Sequence, residues 1–213
     1  MTNDPTIYVL AGVNGSGKSS IGGANFASRG REFYDPDDAA RKMRELHPNM
    51  TQKIANGHAW TIGKEMLENA VDQKKTFAFE TTLGGRTITQ LLLQAAKAGL
   101  KVKIWYVGLK SVELNLARVK ARTARGGHDI PEEAIRRRWD DSRRNLIHLL
   151  PNLSALRLFD NSEEADPHEG KRPEPRLLLE VEEGKITGSG DLSQAPEWAR
   201  PIIAAALQVC TRD

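Results

Sequence analysis

The segment Gly12-Val13-Asn14-Gly15-Ser16-Gly17-Lys18-Ser19 constrains this chain more than any other. It fits the spacing G-x4-G-K-[ST] and follows the nearly continuous apolar run Thr6-Ile7-Tyr8-Val9-Leu10-Ala11. Such a run is what a parallel strand shows when both of its faces are buried. Strand, glycine-rich loop and a helix beginning at Lys18 form the context in which the motif has a physical meaning. The glycines permit a loop whose backbone N–H groups converge on an anion, Lys18 reaches the outer phosphates, and the Ser19 hydroxyl can hold Mg²⁺. The spacing predicts a nucleoside triphosphate site built from Gly12, Asn14, Gly15, Ser16, Gly17, Lys18, Ser19 and Ser20.

A loop of this kind needs a sheet behind it, and the rest of the chain supplies one. The 213 residues are 39% hydrophobic and 28% charged, which excludes a disordered chain and suits one α/β domain with an elaboration. No apolar run is long enough to span a membrane. The N-terminal stretch has no basic region followed by an apolar one, and Cys210 is the single cysteine, so a cytoplasmic protein is expected.

Strand-like and helix-like segments alternate. Arg31–Tyr34 reads as a second strand, followed by Asp35-Pro36-Asp37-Asp38, where Asp37 or a neighbour caps a helix running towards Glu45. A helix is expected from Asn56 to Lys75, a third strand at Phe77-Ala78-Phe79, and an amphipathic helix over Arg86–Ala98 closed by Gly99. Val102, Ile104 and Tyr106 alternate in a fourth strand. Val112, Leu116 and Val119 stripe a helix that Gly126-Gly127 ends, and Pro131 opens another with Ile135, Trp139, Leu146 and Leu149 on its core face. Ser154–Phe159 is a fifth strand. The alternation predicts a three-layer α/β/α fold with a central, mainly parallel five-stranded sheet, and the glycine-rich loop places it in the P-loop class. Residues 1–160 would form the core, with a lid at about 120–138. Residues 161–213 would add a charged, Pro-rich linker, a small hairpin around Glu182-Glu183-Gly184 and a terminal helix, packed on the same domain.

The loop motif does not separate kinases from other nucleotide hydrolases. No N-K-x-D guanine-reading segment is present, and no apolar strand ends in an Asp followed by a catalytic Glu. The nearest equivalent is Phe79-Glu80-Thr81-Thr82, where a carboxylate leaves the carboxyl end of a central strand, the edge at which open α/β sheets place ligands. Glu80 either faces that site or lies in an exposed loop. The Asp35–Asp38 carboxylates fall at the same edge and can cap the helix, accept a hydroxyl proton or hold water on a cation. Both roles can coexist.

The sequence pI of 9.0 raises the question of partners, since the net charge is only +3. Between Arg118 and Arg144 there are nine Lys and Arg against five Asp and Glu, a local excess of four. The basicity is therefore local. Arg118, Arg122 and Arg125 share one helical face, and Gly126-Gly127-His128 follows as a break. Guanidinium groups on a flexible segment above a phosphate loop suit a lid that stabilises a transferring phosphoryl group. Most of Arg136–Arg138 and Arg143–Arg144 reads as a solvated face, and His128 as a local packing or hydrogen-bonding residue. A nucleic-acid-binding ATPase is disfavoured, because aromatic residues are not interleaved for base stacking.

The combination of Gly12–Ser19, Asp35-Pro36-Asp37, His47-Pro48-Asn49, Phe79-Glu80-Thr81-Thr82, Arg118–Arg125 and Gly126-Gly127-His128-Asp129-Ile130-Pro131 resembles the zeta-toxin family of P-loop kinases, in its chromosomal bacterial branch, over about residues 6–160. The resemblance implies transfer of the ATP γ-phosphate, with Mg²⁺, to a hydroxyl of UDP-N-acetylglucosamine or a related nucleotide sugar. It implies phosphate contact by Lys18, Mg²⁺ on Ser19 and a general base at Asp37. Glu80 and Thr82 would orient the sugar nucleotide, with Arg86 on the same substrate side. Arg118 and Arg125 would stabilise the transferring phosphate, Arg122 being the alternative to Arg125. A first strand near Thr6 leaves no room for a fused antitoxin ahead of it. The expectation is a separate antitoxin protein, or a metabolic kinase with another hydroxylated acceptor and no toxin role.

Overall fold

The computed structural model describes residues 4–18, 33–127, 129–163 and 175–210. Ser19, Ser20, the body of the helix expected from Lys18, Arg31, His128 and most of the Asp160–Pro175 linker lie outside the described residues.

Apolar alternation builds the sheet. Strands β1 (Thr6–Ala11), β2 (Phe33–Tyr34), β3 (Phe77–Thr81), β4 (Lys101–Gly108) and β5 (Ala155–Asp160) pair in parallel in the order β2-β3-β1-β4-β5. Strands β6 (Arg176–Glu182) and β7 (Lys185–Ser189) then continue the sheet antiparallel beyond β5. The sheet thus has seven strands rather than the expected five, because the hairpin near the C-terminus pairs with β5. Register between distant segments is not written in local periodicity.

The described α-helices are α1 (Pro36–Leu46), α2 (Gln52–Asp72), α3 (Arg86–Lys97), α4 (Val112–Thr123), α5 (Glu132–Leu149) and α6 (Arg200–Cys210), with short 3-10 turns at Leu150–Asn152, Leu192–Gln194 and Glu197–Ala199. Local signals explain their starts. The Asp35 carboxylate caps α1 by accepting from the Asp37 N–H at 2.8 Å, with Pro36 at the first helical position. Thr51 caps α2, which begins four residues ahead of the expected Asn56. Ser111 caps α4 by accepting from the Leu114 N–H at 3.2 Å. Helix α4 ends at Thr123, so Arg125 sits in the following turn and not on the helical face expected for it.

The main core joins one set of sheet residues, among them Ile7, Val9 and Ile104, to Leu67 of α2, Leu92 of α3, Leu146 of α5 and Ile202 of α6. Trp198, 4% exposed, presses its ring onto Gly108 at the carboxyl end of β4, where a Cβ would lie 2.3 Å from the indole. A second cluster on other sheet residues holds Leu10, Ala78 and Val107. Val13, Val119, Ile130 and Ile135 form a third, which fastens α4 and α5 to the loop after β1. The N-terminal half of α2 meets α1 around the buried alanines Ala40, Ala55 and Ala59, with Ala39, Met43 and Met50 packed against them and Arg44 donating to Gln52 Oε1 at 2.8 Å. Among the described residues no helix is long and apolar enough to cross a membrane.

Candidate active site

Because β1 lies between β3 and β4, the chain reverses its winding direction at β1, and a crevice opens at the carboxyl ends of these strands. The loop Gly12–Lys18 occupies that crevice. Gly12 has φ +147°, and a Cβ there would lie 2.3 Å from the Val107 carbonyl oxygen. Gly15 has φ +82°, and a Cβ would lie 2.7 Å from the Asn115 carbonyl oxygen. Both positions are closed to any side chain, by backbone conformation and by space. Gly17 shares the left-handed conformation at φ +84°.

The loop is tied down on three sides. The Asn115 amide of α4 donates to the Asn14 carbonyl at 2.8 Å, and the Asn161 amide after β5 donates to the Ser16 carbonyl at 2.9 Å. From α5, Arg138 Nη1 donates to Asn14 Oδ1 at 2.8 Å. Ser16 Oγ is buried and has no hydrogen-bond partner among the described residues.

The Lys18 ammonium is 6% exposed and surrounded by oxygen acceptors: the Gly12 carbonyl at 2.7 Å, the Val13 carbonyl at 3.4 Å and Glu80 Oε1 at 3.4 Å. Phosphate oxygens offer the same chemistry with more charge. Glu80 arrives because β3 pairs with β1 in a register that sets it beside Leu10. Burial pushes its carboxyl above the usual carboxylate range. Lys18 opposes that rise, and Asp35 and Asp37 add to it. The ion pair therefore does not offset the lost hydration of the carboxylate.

Next to this centre lies a cavity of about 510 Å³, lined among others by Asn14, Asp37, Glu80, Thr82 and Arg138. The two aspartates at its edge divide their work. Asp35 is occupied as the cap of α1, whereas Asp37 lines the cavity with a carboxylate oxygen 3.9 Å from Arg122 Nη1. Asp38 turns away to pair with Arg41 and Lys42. Tyr34 also lines the cavity and anchors α2 by donating its hydroxyl to the Ala59 carbonyl at 2.5 Å.

The Thr81–Gly85 loop after β3 is held by the polar side of α5. Ser142 donates to the Thr82 carbonyl at 2.7 Å and lies 3.0 Å from the Tyr106 hydroxyl. Asn145 donates to the Leu83 carbonyl at 2.8 Å. Between those two contacts Leu83, fully buried, adopts φ +54°. A β-carbon-bearing residue rarely takes that conformation, and burial together with the carbonyl contacts holds it there. Burial also pushes the Tyr106 hydroxyl pKa up to about 12, so this brace keeps its protonation through the neutral range.

The remaining residues expected at the site are distributed unevenly. Gly12, Asn14, Gly15, Ser16, Gly17 and Lys18 form the loop, and Asp37, Glu80 and Thr82 share the cavity. Arg86 is exposed at the start of α3, outside the cavity lining. Arg118 donates to the Glu163 carbonyl at 3.2 Å, on the segment after β5, and Arg125 is exposed beyond α4, so neither lines the cavity. Of the three arginines on that stretch, Arg122 is the one paired with Asp37.

Arg138 departs most from expectation. Instead of joining a solvated face it is half-buried, with its stem against Gly84 and its guanidinium on the phosphate loop. Burial, followed by the Arg137 charge, lowers its pKa, and Asp37 opposes this. A guanidinium nonetheless stays charged in proteins. The missed signal was periodicity: Arg138, Ser142 and Asn145 fall on the same turns of α5 as Ile135, Leu146 and Leu149. Polar residues at core spacing, rather than Arg138 alone, marked that face. Arg136 and Arg144 behave as a solvated face, paired with Glu132 and Asp141, whereas Arg143 is largely buried over the Trp139 ring, 4.7 Å from its centroid, with Asp140 as its ion-pair partner.

A family model described as an AAA domain, AAA_33, matches residues 7–148. A protein of Haemophilus influenzae (strain ATCC 51907 / DSM 11121 / KW20 / Rd), named only as uncharacterized, is 34% identical over 139 residues, which cover 65% of this chain and 94% of the relative. Among solved structures, a chain of the AvrRxo1-ORF1:AvrRxo1-ORF2 complex with sulphate ions superposes with a TM-score of 0.67 at 15% identity, covering 95% of this chain. The same complex with ATP gives 0.66 at 16% identity. This chain spans 64% of the length of those AvrRxo1 chains. The PezAT chromosomal toxin–antitoxin system of Streptococcus pneumoniae gives 0.60 at 13% identity, covering 100% of this chain and 89% of the other. These likenesses establish a kinase-like P-loop fold.

Proposed function

The chain belongs to the AAA-domain family matched over residues 7–148, and from that premise we propose that it is an ATP-dependent phosphotransferase acting on a hydroxyl of a nucleotide sugar, UDP-N-acetylglucosamine or a close relative. The observation that carries the reading is the shared cavity. A phosphate loop with a buried lysine opens onto a carboxylate, Asp37, that is not spent on helix capping, with guanidinium groups on both neighbouring helices. A hydrolase needs only water beside the phosphate, whereas a cavity of about 510 Å³ has room for an acceptor molecule.

In this reading the loop N–H groups and Lys18 hold the outer phosphates of ATP. Asp37 accepts the proton of the acceptor hydroxyl as its oxygen attacks the γ-phosphorus, and ADP leaves with the bridging oxygen. Arg138 and Arg122 stabilise the charge on the transferring oxygens, in place of Arg125 and of Arg118, whose guanidinium lies towards the segment after β5. Glu80 orients Lys18, and Thr82 contributes to the acceptor wall. The described donors around the loop, Ser16 Oγ and the Glu80 and Asp37 carboxylates, are all oxygens, the chemistry that suits Mg²⁺. Ser19 would hold that ion, whose contribution when bound is to neutralise phosphate charge.

The pairing of β6 with β5 supports taking residues 176–210 as part of the same domain as the core. The fold shared with the PezAT toxin–antitoxin protein supports adding a separate antitoxin as partner.

Phosphorus NMR of the chain with ATP, Mg²⁺ and a panel of nucleotide sugars tests the reading. A new phosphomonoester signal is expected with UDP-N-acetylglucosamine, absent in Lys18→Ala and slowed about 10²–10⁴-fold in Asp37→Asn. Arg138→Lys keeps the charge but loses the fork, and should cost about 10²–10³-fold in kcat. No acceptor-dependent consumption of ATP across the panel would sink it.

A further inference from the structure

One wall of the cavity is formed by residues of α2, Trp60 among them. Its indole is 48% exposed, although Trp198 shows that this fold can bury a tryptophan almost completely. A large aromatic face left in water on a concave wall recovers hydration free energy when another ring covers it. Room for such a ring exists beside it. Gly57, one turn earlier and also lining the cavity, would find nothing within 4 Å of an added Cβ.

The same cavity contains an uncommitted positive charge. Arg137 of α5 lines it, is exposed, and has no ion-pair or hydrogen-bond partner among the described residues. Its neighbour Arg136 is neutralised by Glu132 and Glu113. Lys64, the other cation on the α2 wall, is held by Glu68 at 2.5 Å. A guanidinium at an open pocket wall is suited to bidentate binding of phosphate.

One cavity therefore offers an aromatic platform, an unpaired guanidinium and a carboxylate beside the phosphate loop. A ligand matching all three carries an aromatic ring, a phosphate and a free hydroxyl. We propose that Trp60 and Arg137 form a nucleotide-recognition subsite, in which Trp60 stacks the acceptor's base and Arg137 binds its phosphate. This rests on the reading that the acceptor is a nucleotide sugar, and it names the residues that would select the nucleotide end.

The experiment uses the full chain with ATP and Mg²⁺ and compares UDP-N-acetylglucosamine with N-acetylglucosamine 1-phosphate, which lacks the base. For the nucleotide sugar, Trp60→Ala and Arg137→Ala should each raise the acceptor KM about 10-fold or more, with the ATP KM unchanged and Trp60→Phe restoring most of the loss. For the base-free sugar phosphate, Arg137→Ala should still weaken binding while Trp60→Ala has no effect. An unchanged acceptor KM in Trp60→Ala or Arg137→Ala, or an equal loss for both acceptors in Trp60→Ala, overturns the subsite and leaves the kinase reading standing. If the wild type phosphorylates neither acceptor, UDP-N-acetylglucosamine fails as the acceptor, and binding decides the subsite. With the phosphate loop saturated by a non-hydrolysable ATP analogue, UDP should quench tryptophan fluorescence in the wild type and not in Trp60→Phe. Equal quenching in both proteins, or none in either, overturns the subsite.

Discussion

The phosphate loop and the α2 wall line one cavity yet obey opposite rules. At the loop the main chain is the recognition surface: a Cβ on Gly12 would collide with a backbone oxygen at 2.3 Å. On α2 the side chains are the surface, and a Cβ on Gly57 would meet nothing within 4 Å. The loop is held by hydrogen bonds from α4, α5 and the segment after β5, whereas this half of α2 rests on α1 through a small apolar cluster of alanines with Met43 and Met50. A phosphate group is the same in every nucleotide, so rigid backbone can read it. Whatever distinguishes one acceptor from another has to be read by replaceable groups, and those are the side chains of the facing wall.

The largest test of this contrast is Gly12→Ala. An alanine must adopt a left-handed backbone and displace the Val107 carbonyl, a strain of about 1–3 kcal/mol. Displacing the loop should lower ATP-dependent transfer about 10²-fold or more. Wild-type ATP affinity in this variant, measured by titration calorimetry, would break the contrast at its stronger end.

Glu80→Gln should act less strongly on stability, and with a defined sign in pH. The folded-state pKa of Glu80 is raised, chiefly by burial, so between its unfolded and folded values the native chain holds the extra proton. Stability therefore falls as pH rises through that window, from the ordinary carboxylate range upward. The glutamine variant lacks this loss. Its Tm should match the wild type at about pH 3 and exceed it at neutral pH, while transfer is impaired because Lys18 loses its charged partner. A wild type that melts higher than the variant at neutral pH would show that the Lys18 pair outweighs burial.

The smallest effect belongs to Gly57→Ala. Replacing a mid-helix glycine in open space should stabilise the chain by about 0.5–1 kcal/mol, read from thermal melts. The added methyl enters the space beside Trp60, so the acceptor KM should rise as the Tm rises. A Tm that falls instead would mean that this wall is packed more tightly than the loop comparison holds.

What was legible in the sequence divides along the same line. The Gly12–Lys18 motif was readable because steric closure at fixed spacing leaves glycine no substitute. Strands β1 and β4 were readable because both show burial in their own residues, Ile7 and Val9 or Val102, Ile104 and Tyr106. The cap of α1 was legible only to within a neighbour: the sequence offered Asp37 or a residue beside it, and Asp35 takes the role. Arg138 was misread because its environment comes from Asn14 and Gly84, residues far away in the chain. The same holds for Ser142 and Asn145: their core spacing on α5 marks an inward polar face, but that it meets the Thr82 and Leu83 carbonyls is set by distant segments. Arg122 and Arg125 could not be told apart because the choice depends on where α4 stops, a matter of one turn.

The hairpin beyond β5 has a bearing on how the chain behaves in company. Strand β5 carries buried Leu156 and Leu158 and pairs along its whole length with β6. Uncovered, it would be a regular apolar edge offering free N–H and C=O groups to any other chain, the geometry from which sheet-to-sheet aggregation grows. The edge left by the hairpin is β7 instead: five residues, mostly exposed, beginning with Lys185 and bearing an irregularity in its pairing with β6. Short, charged and uneven edges are poor templates for further strands. Whatever else β6 and β7 do, they exchange an adhesive border for a poorly adhesive one.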